Sequence, residues 1–399
     1  MSEEIREIRL KKIADLRARG VNPYPERFER THMVAEARAA AGPLALEQGA
    51  WPRADEPVMR LAGRLMAFRD MGKLTFGRLE DASGKIQIAL NQKTIGKDLY
   101  AEFQRTFDVG DFLGVEGKLF VTKTGELTIE ATAFTFLGKC IRPLPEKWHG
   151  LQDQELRWRH RYLDLVMNEE TRARFRLRTQ LIKVMREFLD ANRFEEVETP
   201  VLCAHASGAM ARPFVAHHNS LDLDVFLRIA PETYLKRLIV GGYDRVYEFA
   251  RCFRNEGMDP SHLQDFTMLE WYAAYWNFVD NMDFTERLVK HALEKARGTL
   301  RVEFGGKATD FGGTWPRKTL RELILSDSGI DIDRFETADA LRAETKAKGI
   351  RLEDAEKLGR GNLIDALYKK VSRPKIADPL FVTSHPTDLS PLARRNDAN

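Results

Sequence analysis

Between residues 59 and 137 the chain alternates five short β-rich runs with turns, and no other stretch narrows the fold as much. The runs cover 59–69, 74–80, 85–90, 112–122 and 126–137, with Asp81-Ala82-Ser83-Gly84 and Lys123-Thr124-Gly125 as hairpin turns. A helical insert at 97–107 falls between the third and fourth runs. Five strands with a helix after the third is the order of an OB-fold barrel. Barrels of this kind bind single-stranded nucleic acid through stacked aromatics and polar edge contacts.

A helix at 3–19 precedes the barrel, with Ile5, Ile8, Ile13 and Leu16 as a loose apolar stripe and Gly20 as its stop. Its basic residues, Arg6, Arg9, Lys11, Lys12, Arg17 and Arg19, form either a solvated face or a surface for RNA phosphates. After the barrel, Arg142-Pro143-Leu144-Pro145 is a stiff linker, because each proline fixes its own backbone and restricts the residue before it. The expected division is a helical extension at 1–58, the barrel at 59–144 and a second domain at 145–399. The second domain carries a long helix at 169–192, with Phe175, Leu177, Leu181, Ile182, Met185, Phe188 and Leu189 at helical spacing. Further helices are expected at 278–296, 317–326, 338–348 and 362–371.

Within that domain, Phe253-Arg254-Asn255-Glu256-Gly257 and Phe266-Thr267-Met268-Leu269-Glu270 read as parts of two strands joined by a polar loop. Strand alternation puts Met268, Glu270 and Tyr272 on the face of Phe266, and Glu248, Ala250, Cys252 and Arg254 on one face of the preceding strand. Paired as a hairpin, the two strands set Arg254, Phe266 and Glu270 over one floor. A guanidinium fork suits a phosphate, an aromatic ring suits a nucleobase, and a buried carboxylate suits an ammonium. An ordinary amphipathic hairpin with a surface ion pair satisfies the same pattern. Arg228-Ile229-Ala230-Pro231-Glu232 opens another helix, where Glu232 answers either the helix dipole or a substrate amine. The small-residue loop 207–214 makes a plain turn or lets a ligand approach the backbone. His217 and His218 are adjacent on a strand, so they point to opposite faces and make no metal pair.

No Gly-x-x-x-x-Gly-Lys-Ser/Thr cradle is present and no Gly-x-Gly-x-x-Gly opens a helix, so a nucleotide would be held on strands. A net charge of +3 exerts almost no long-range pull on RNA, which would need a local basic surface. Cys140, Cys203 and Cys252 lie far apart with no C-x-x-C pair, which argues against structural zinc and for reduced thiols. No apolar run approaches the roughly 20 residues that span a bilayer. The amino terminus has no basic-then-apolar leader. A cytoplasmic location without membrane association is expected.

Together these stretches resemble the lysine–tRNA ligases, a family of class II aminoacyl-tRNA synthetases. The likeness runs from GVNPYPERF at 20–28 through GKLFVTKTGELTI at 117–129, PLPEKWHGLQDQELRWRHRYLDL at 143–165 and EVETP at 196–200. It continues through the unbroken run 211–257, ending in FRNEG, and FTMLEWYAAY at 266–275. The resemblance implies an α+β protein in which an anticodon-binding OB-fold barrel precedes a catalytic domain built on an antiparallel sheet flanked by helices. It implies ATP-dependent activation of lysine to lysyl-adenylate, then transfer of the lysyl group to tRNA(Lys). By position, Arg254 would be the catalytic residue at the α-phosphate of ATP, Glu256 and His262 would hold the adenosine and outer phosphates, and Phe266 would stack on adenine. Gly208, Glu232, Glu270 and Tyr272 would line the lysine pocket. Arg69, Phe76 and Gln87 would meet the anticodon, the phenyl ring stacking on a splayed base and the amide bonding its edge. The long helix with EVETP would join two copies into a homodimer. Mg2+ is expected for the family, with no ligands for it in these residues.

The pattern departs from the family in three places. The third family motif, a glycine-rich strand and helix with an arginine for the ATP phosphates, is not found. The catalytic domain is therefore expected to be incomplete at its carboxyl end and inactive in adenylation. The family's His-Asn-Pro-Glu-Phe-Thr here reads His262-Leu263-Gln264-Asp265-Phe266-Thr267. Arg193 stands where a glycine would precede Phe194. Two other readings stay open: a non-catalytic tRNA-binding paralogue or fragment, and an aspartate– or asparagine–tRNA ligase. Glu232 and Glu270 argue against the second, since an acidic substrate wants basic partners.

Overall fold

A computed structural model describes residues 2–145, 151–259, 262–390 and 393–395. The stretch 143–165 and the loop between the two hairpin strands therefore lie partly outside the described residues. The chain divides into two compact units, Met1–Arg172 and Ala173–Asn399.

The first unit begins with α1 (Ser2–Ala18) and α2 (Val34–Ala40) and continues into β1 (Met59–Asp70), β2 (Leu74–Glu80), β3 (Lys85–Asn91), α3 (Gln92–Ile95), α4 (Lys97–Thr106), β4 (Phe112–Val121) and β5 (Leu127–Gly138). The five strands close into a barrel in the order β1-β2-β3-β5-β4. The expected strands are all present, with the helical insert where an OB-fold requires it. Alternation works as the pattern implied. Thr75, Gly77 and Leu79 are buried along β2, while Phe76, Arg78 and Glu80 lie on its outer face. The core is lined by Leu61, Leu65, Ile86, Ile88, Phe103, Phe107, Val115 and Ile129.

The apolar stripe expected on α1 is corrected. Ile8 is 55% exposed, and the buried face is Arg9, Ile13 and Leu16. Arg9 is drawn in because its guanidinium donates to the carbonyls of Cys140 at 2.5 Å and Val109 at 3.3 Å. Lys12 donates to both oxygens of Asp108, and Arg19 pairs with Glu102 at 2.9 Å. Much of the basic face is thus committed to the barrel. Beneath it the Lys139 ammonium is fully buried. It donates to the Thr106 carbonyl at 2.7 Å, to Asp111 at 2.7 Å and to Asp108. The other Asp111 oxygen accepts the Cys140 amide at 2.8 Å. Each charge in this cluster has partners, as burial demands.

After α5 (Gln154–Arg159) and α6 (Arg161–Met167), the long helix α7 (Glu169–Ala191) crosses into the second unit. Its carboxyl end turns through Arg193 at φ 63°, while the Phe194 amide donates to the Leu189 carbonyl at 3.1 Å. A glycine usually holds such a left-handed cap, and an arginine there carries strain. Then follow β6 (Glu195–Glu196), β7 (Leu202–Cys203), β8 (Val215–His218), β9 (Leu223–Leu227), α8 (Glu232–Val240), β10 (Arg245–Phe253), β11 (Asp265–Ala273) and α9 (Phe278–Arg297). The central sheet runs β11-β10-β6, and a smaller one runs β7-β9-β8. Behind the central sheet, Leu189, Phe194, Tyr247 and Phe284 pack with Phe188, Phe249, Leu269 and Trp271.

The remaining elements are β12 (Arg301–Phe304), β13 (Lys307–Asp310), β14 (Arg317–Thr319), α10 (Leu320–Ser328), α11 (Ala338–Ala347), α12 (Arg360–Val371) and β15 (Phe381–Thr383). The helix expected at 317–326 starts three residues later. Residues Arg317–Thr319 instead pair in parallel with Phe381–Thr383. Thr319 then caps the helix, its hydroxyl accepting the Glu322 amide while the Glu322 carboxylate accepts the Thr319 amide. The helices between the two strands enclose their own core of Leu320, Ile324, Ile330, Ile332, Leu341, Leu363, Ile364 and Leu367. Among the described residues no helix is long and apolar enough to cross a membrane.

Candidate functional site

Strands β10 and β11 pair antiparallel with Val246 opposite Tyr272, Glu248 opposite Glu270, Ala250 opposite Met268 and Cys252 opposite Phe266. Directly opposed residues share a face. The front face therefore carries Glu248, Cys252, Phe266, Glu270 and Tyr272, while the intervening residues feed the aromatic core behind. Helix α8 supplies the side chains that lie against this front.

At the loop end of the hairpin, the Arg254 guanidinium lies 5.1 Å from the centre of the Phe266 ring. The Arg254 amide donates to the Gln264 carbonyl at 2.8 Å, which holds the residue at the strand margin. Its Nε is buried and has no hydrogen-bond partner among the described residues. A buried guanidinium nitrogen left so is costly unless a ligand answers it. Glu256 reaches the preceding loop, its Oε1 accepting the Arg212 amide at 3.2 Å, and the Asn255 amide donates to the Arg212 carbonyl at 2.7 Å.

That loop delivers Gly208 against Glu232. Gly208 has φ 88°, and a Cβ there would lie 3.0 Å from the Glu232 Cβ and 3.1 Å from the Ala230 Cβ. Only glycine fits both the backbone and the gap. Glu232, in the first turn of α8, holds the Lys236 ammonium at 2.5 Å, and that ammonium lies 5.9 Å from the centre of the Tyr272 ring. The Tyr272 hydroxyl donates to Glu270 at 3.1 Å. Burial pushes the Glu270 carboxyl above its ordinary range, the charges of Glu232 and Glu248 push it further, and Tyr272 and Arg254 only partly offset them. Burial and the same Glu270 and Glu232 charges raise the Tyr272 phenol, so it stays a donor. The Cys252 thiol is pushed up to about 11, chiefly by burial, and stays protonated.

Gly208, Glu232, Glu270 and Tyr272 therefore converge, and Arg254 joins Phe266. His262 does not join them. It is exposed, and its Nδ1 lies 2.6 Å from Asp259. Asp265 falls on the opposite face, paired with Arg251 at 3.2 Å. His217 and His218 make separate hydrogen bonds to Asp224 and Ser220. Among the described residues no three His, Cys, Asp or Glu side chains gather to hold a metal.

Sequence reasoning did not find the pair beneath the floor. Arg228 and Glu248 form an ion pair at 2.6 Å, each side chain 5% exposed. Arg228 also donates to the carbonyls of Arg251 and Thr199 and to the Thr199 hydroxyl, and that hydroxyl donates to the second Glu248 oxygen at 2.7 Å. The shared face of Glu248 was legible from parity; its partner, 20 residues earlier, was not.

On the barrel, Arg69 lies opposite Phe76 and Phe76 opposite Ala89, with Arg78 opposite Gln87 and Gln87 beside Thr128. Arg69, Phe76 and Gln87 thus share the outer surface. Phe76 is half-buried, and Gln87 Oε1 accepts the Thr128 hydroxyl at 2.8 Å, leaving its amide nitrogen for another partner.

A five-stranded barrel joined to an antiparallel hairpin of this kind is the architecture of a class II tRNA synthetase. Residues 153–399 match the family of class II tRNA synthetases (D, K and N), and residues 59–137 match the OB-fold nucleic acid binding domain family. A lysine–tRNA ligase of Carboxydothermus hydrogenoformans is 43% identical over 396 residues, covering 99% of this chain and 78% of that protein. The lysine–tRNA ligases of Thioalkalivibrio sulfidiphilus and Pasteurella multocida are each 44% identical, covering 98% of this chain and 77% and 78% of theirs. The chain belongs to the lysine–tRNA ligases, a family of enzymes that attach an amino acid to tRNA at the expense of ATP.

Proposed function

We propose that this chain binds lysine between Glu232 and Glu270 and ATP against Arg254 and Phe266, and that its barrel takes the anticodon of tRNA(Lys). The observation that carries this is the pairing of two converging carboxylates with a neighbouring guanidinium whose Nε is unanswered. In the first step a lysine carboxylate oxygen attacks the α-phosphorus and pyrophosphate leaves. That nucleophile is already ionised, so the protein's task is alignment and charge neutralisation. Arg254 is placed to offset charge on the α-phosphate, and Phe266 to support the adenine ring. Glu256 and His262 belong to the outer part of the nucleotide site in this reading. In the second step a terminal ribose hydroxyl of the tRNA attacks the lysyl carbonyl and AMP leaves. The carboxylates reject neutral rivals because a buried charge without its partner is costly.

Arg69, Phe76 and Gln87 are the proposed anticodon contacts, supported by their common outer face. A homodimer through α7 is also proposed, since Leu177, Leu181, Ile182 and Met185 of its apolar stripe are only partly covered. Any Mg2+ would come with the nucleotide, and the proposed location is the cytoplasm, where charged tRNA is used. Thermal-shift titrations with lysine, aspartate, an ATP analogue and tRNA test the reading. Stabilisation by lysine and by the ATP analogue, and not by aspartate, is expected. A response to tRNA alone favours a pure RNA-binding role.

A further inference from the structure

Three carboxylates, Glu232, Glu248 and Glu270, crowd the front of the β10–β11 sheet, and the Lys236 ammonium answers Glu232. Glu248 lies directly across from Glu270 in the strand register and is buried. Its charge is met from below by Arg228, whose own position is fixed by the Thr199 and Arg251 carbonyls. We propose that the Arg228–Glu248 pair is a positioning element that sets the charge of the lysine pocket, cancelling the carboxylate across from Glu270 so that it adds no net charge to the side that Glu232 and Glu270 present to the dication. This rests on the lysine-binding reading above and extends it to residues that do not touch the substrate.

The groups that face Glu270 come from every element around it. Glu232 and Lys236 stand on α8, Glu248, Cys252 and Arg254 on β10, and Tyr272 on β11, with Arg228 behind Glu248. The charges of the Arg228–Glu248 pair can be removed singly, with opposite sign, at residues that this reading keeps off the substrate. Glu248→Gln keeps the shape and a hydrogen bond to Arg228 but leaves an uncancelled cation under the pocket. Glu270 then ionises more readily, while an incoming ammonium is repelled. Arg228→Gln leaves an uncancelled anion and does the reverse to Glu270.

Calorimetric titration of lysine and of an ATP analogue into the 399-residue chain, over pH values from about 5 to 8, tests this. Glu248→Gln is expected to weaken lysine about tenfold or more, to move the acid limb of lysine binding to lower pH, and to leave the ATP analogue's affinity undiminished. Arg228→Gln is expected to move that limb to higher pH. Thr199→Val removes a hydrogen bond and no charge, so its limb should stay in place. The proposal is overturned if both ligands weaken together with the limb unmoved, if the two charge variants shift the limb in the same direction, or if Thr199→Val shifts it as far. Absence of lysine binding by the unaltered chain sinks the functional reading itself, and this inference with it.

Discussion

Two buried charge clusters in this chain are built on opposite terms. In the barrel, Lys139 is enclosed by Asp108, Asp111 and the Thr106 carbonyl, and Arg9 and Lys12 complete the set from α1. On the hairpin sheet, only Arg228 and Glu248 are matched in that manner. Glu270 holds one phenol hydroxyl beside other carboxylates, and the Arg254 Nε has no hydrogen-bond partner among the described residues. A completed network fixes the fold, whereas an incomplete one leaves free energy for a ligand to recover. On the proposed reading, the second cluster is the one a ligand completes.

The strongest way to break this contrast is to unpair the barrel cluster. Lys139→Met leaves the buried Asp111 without its cation, while Asp108 keeps Lys12, and is expected to cost about 3–5 kcal/mol in urea unfolding. A loss below about 1 kcal/mol would show that the cluster is solvated and the comparison unsound. Glu270→Gln should do the reverse. Lysine affinity falls about a hundredfold, or ~2.7 kcal/mol, while folding stability holds or rises. The sign follows from the raised carboxyl. Burial costs nothing while Glu270 is protonated, below its ordinary range, and the cost grows as pH rises through its folded value. The stability gain of Glu270→Gln should therefore shrink in acid, which a pH series of melting temperatures measures. Phe76→Ala, on a surface with no buried charge, is expected to weaken binding of an anticodon stem-loop by about 2 kcal/mol and leave lysine binding alone. The smallest effect is Arg193→Gly. Relief of the left-handed strain should stabilise the chain by about 1 kcal/mol, read as a higher urea midpoint.

The elements that could be read from the sequence are those whose neighbours are close in the chain. The barrel strands are joined by short turns, and their alternation is local, so their positions follow from the residues themselves. Parity likewise placed Arg254, Phe266 and Glu270 over one floor before any coordinates. What escaped was set by distant partners. Arg9 turned inward because carbonyls at 109 and 140 wait there. The segment 317–319 became a strand because its partner lies at 381–383. Arg228 found Glu248 through a crossover of loop and helix, and Asp259 drew His262 aside. Motif resemblance named the proposed site residues, but it carried no information on which charges were already spoken for.

The short parallel pairing of β14 with β15 has a consequence for how the second unit tolerates change. The chain leaves β14 at Thr319 and returns at Phe381, beside Arg317 at the start of the same strand, and the helices in between pack on one another. Such a segment behaves as a pendant on a closed clasp. Its contents can lengthen, shorten or be exchanged while the two threads that carry it keep their spacing.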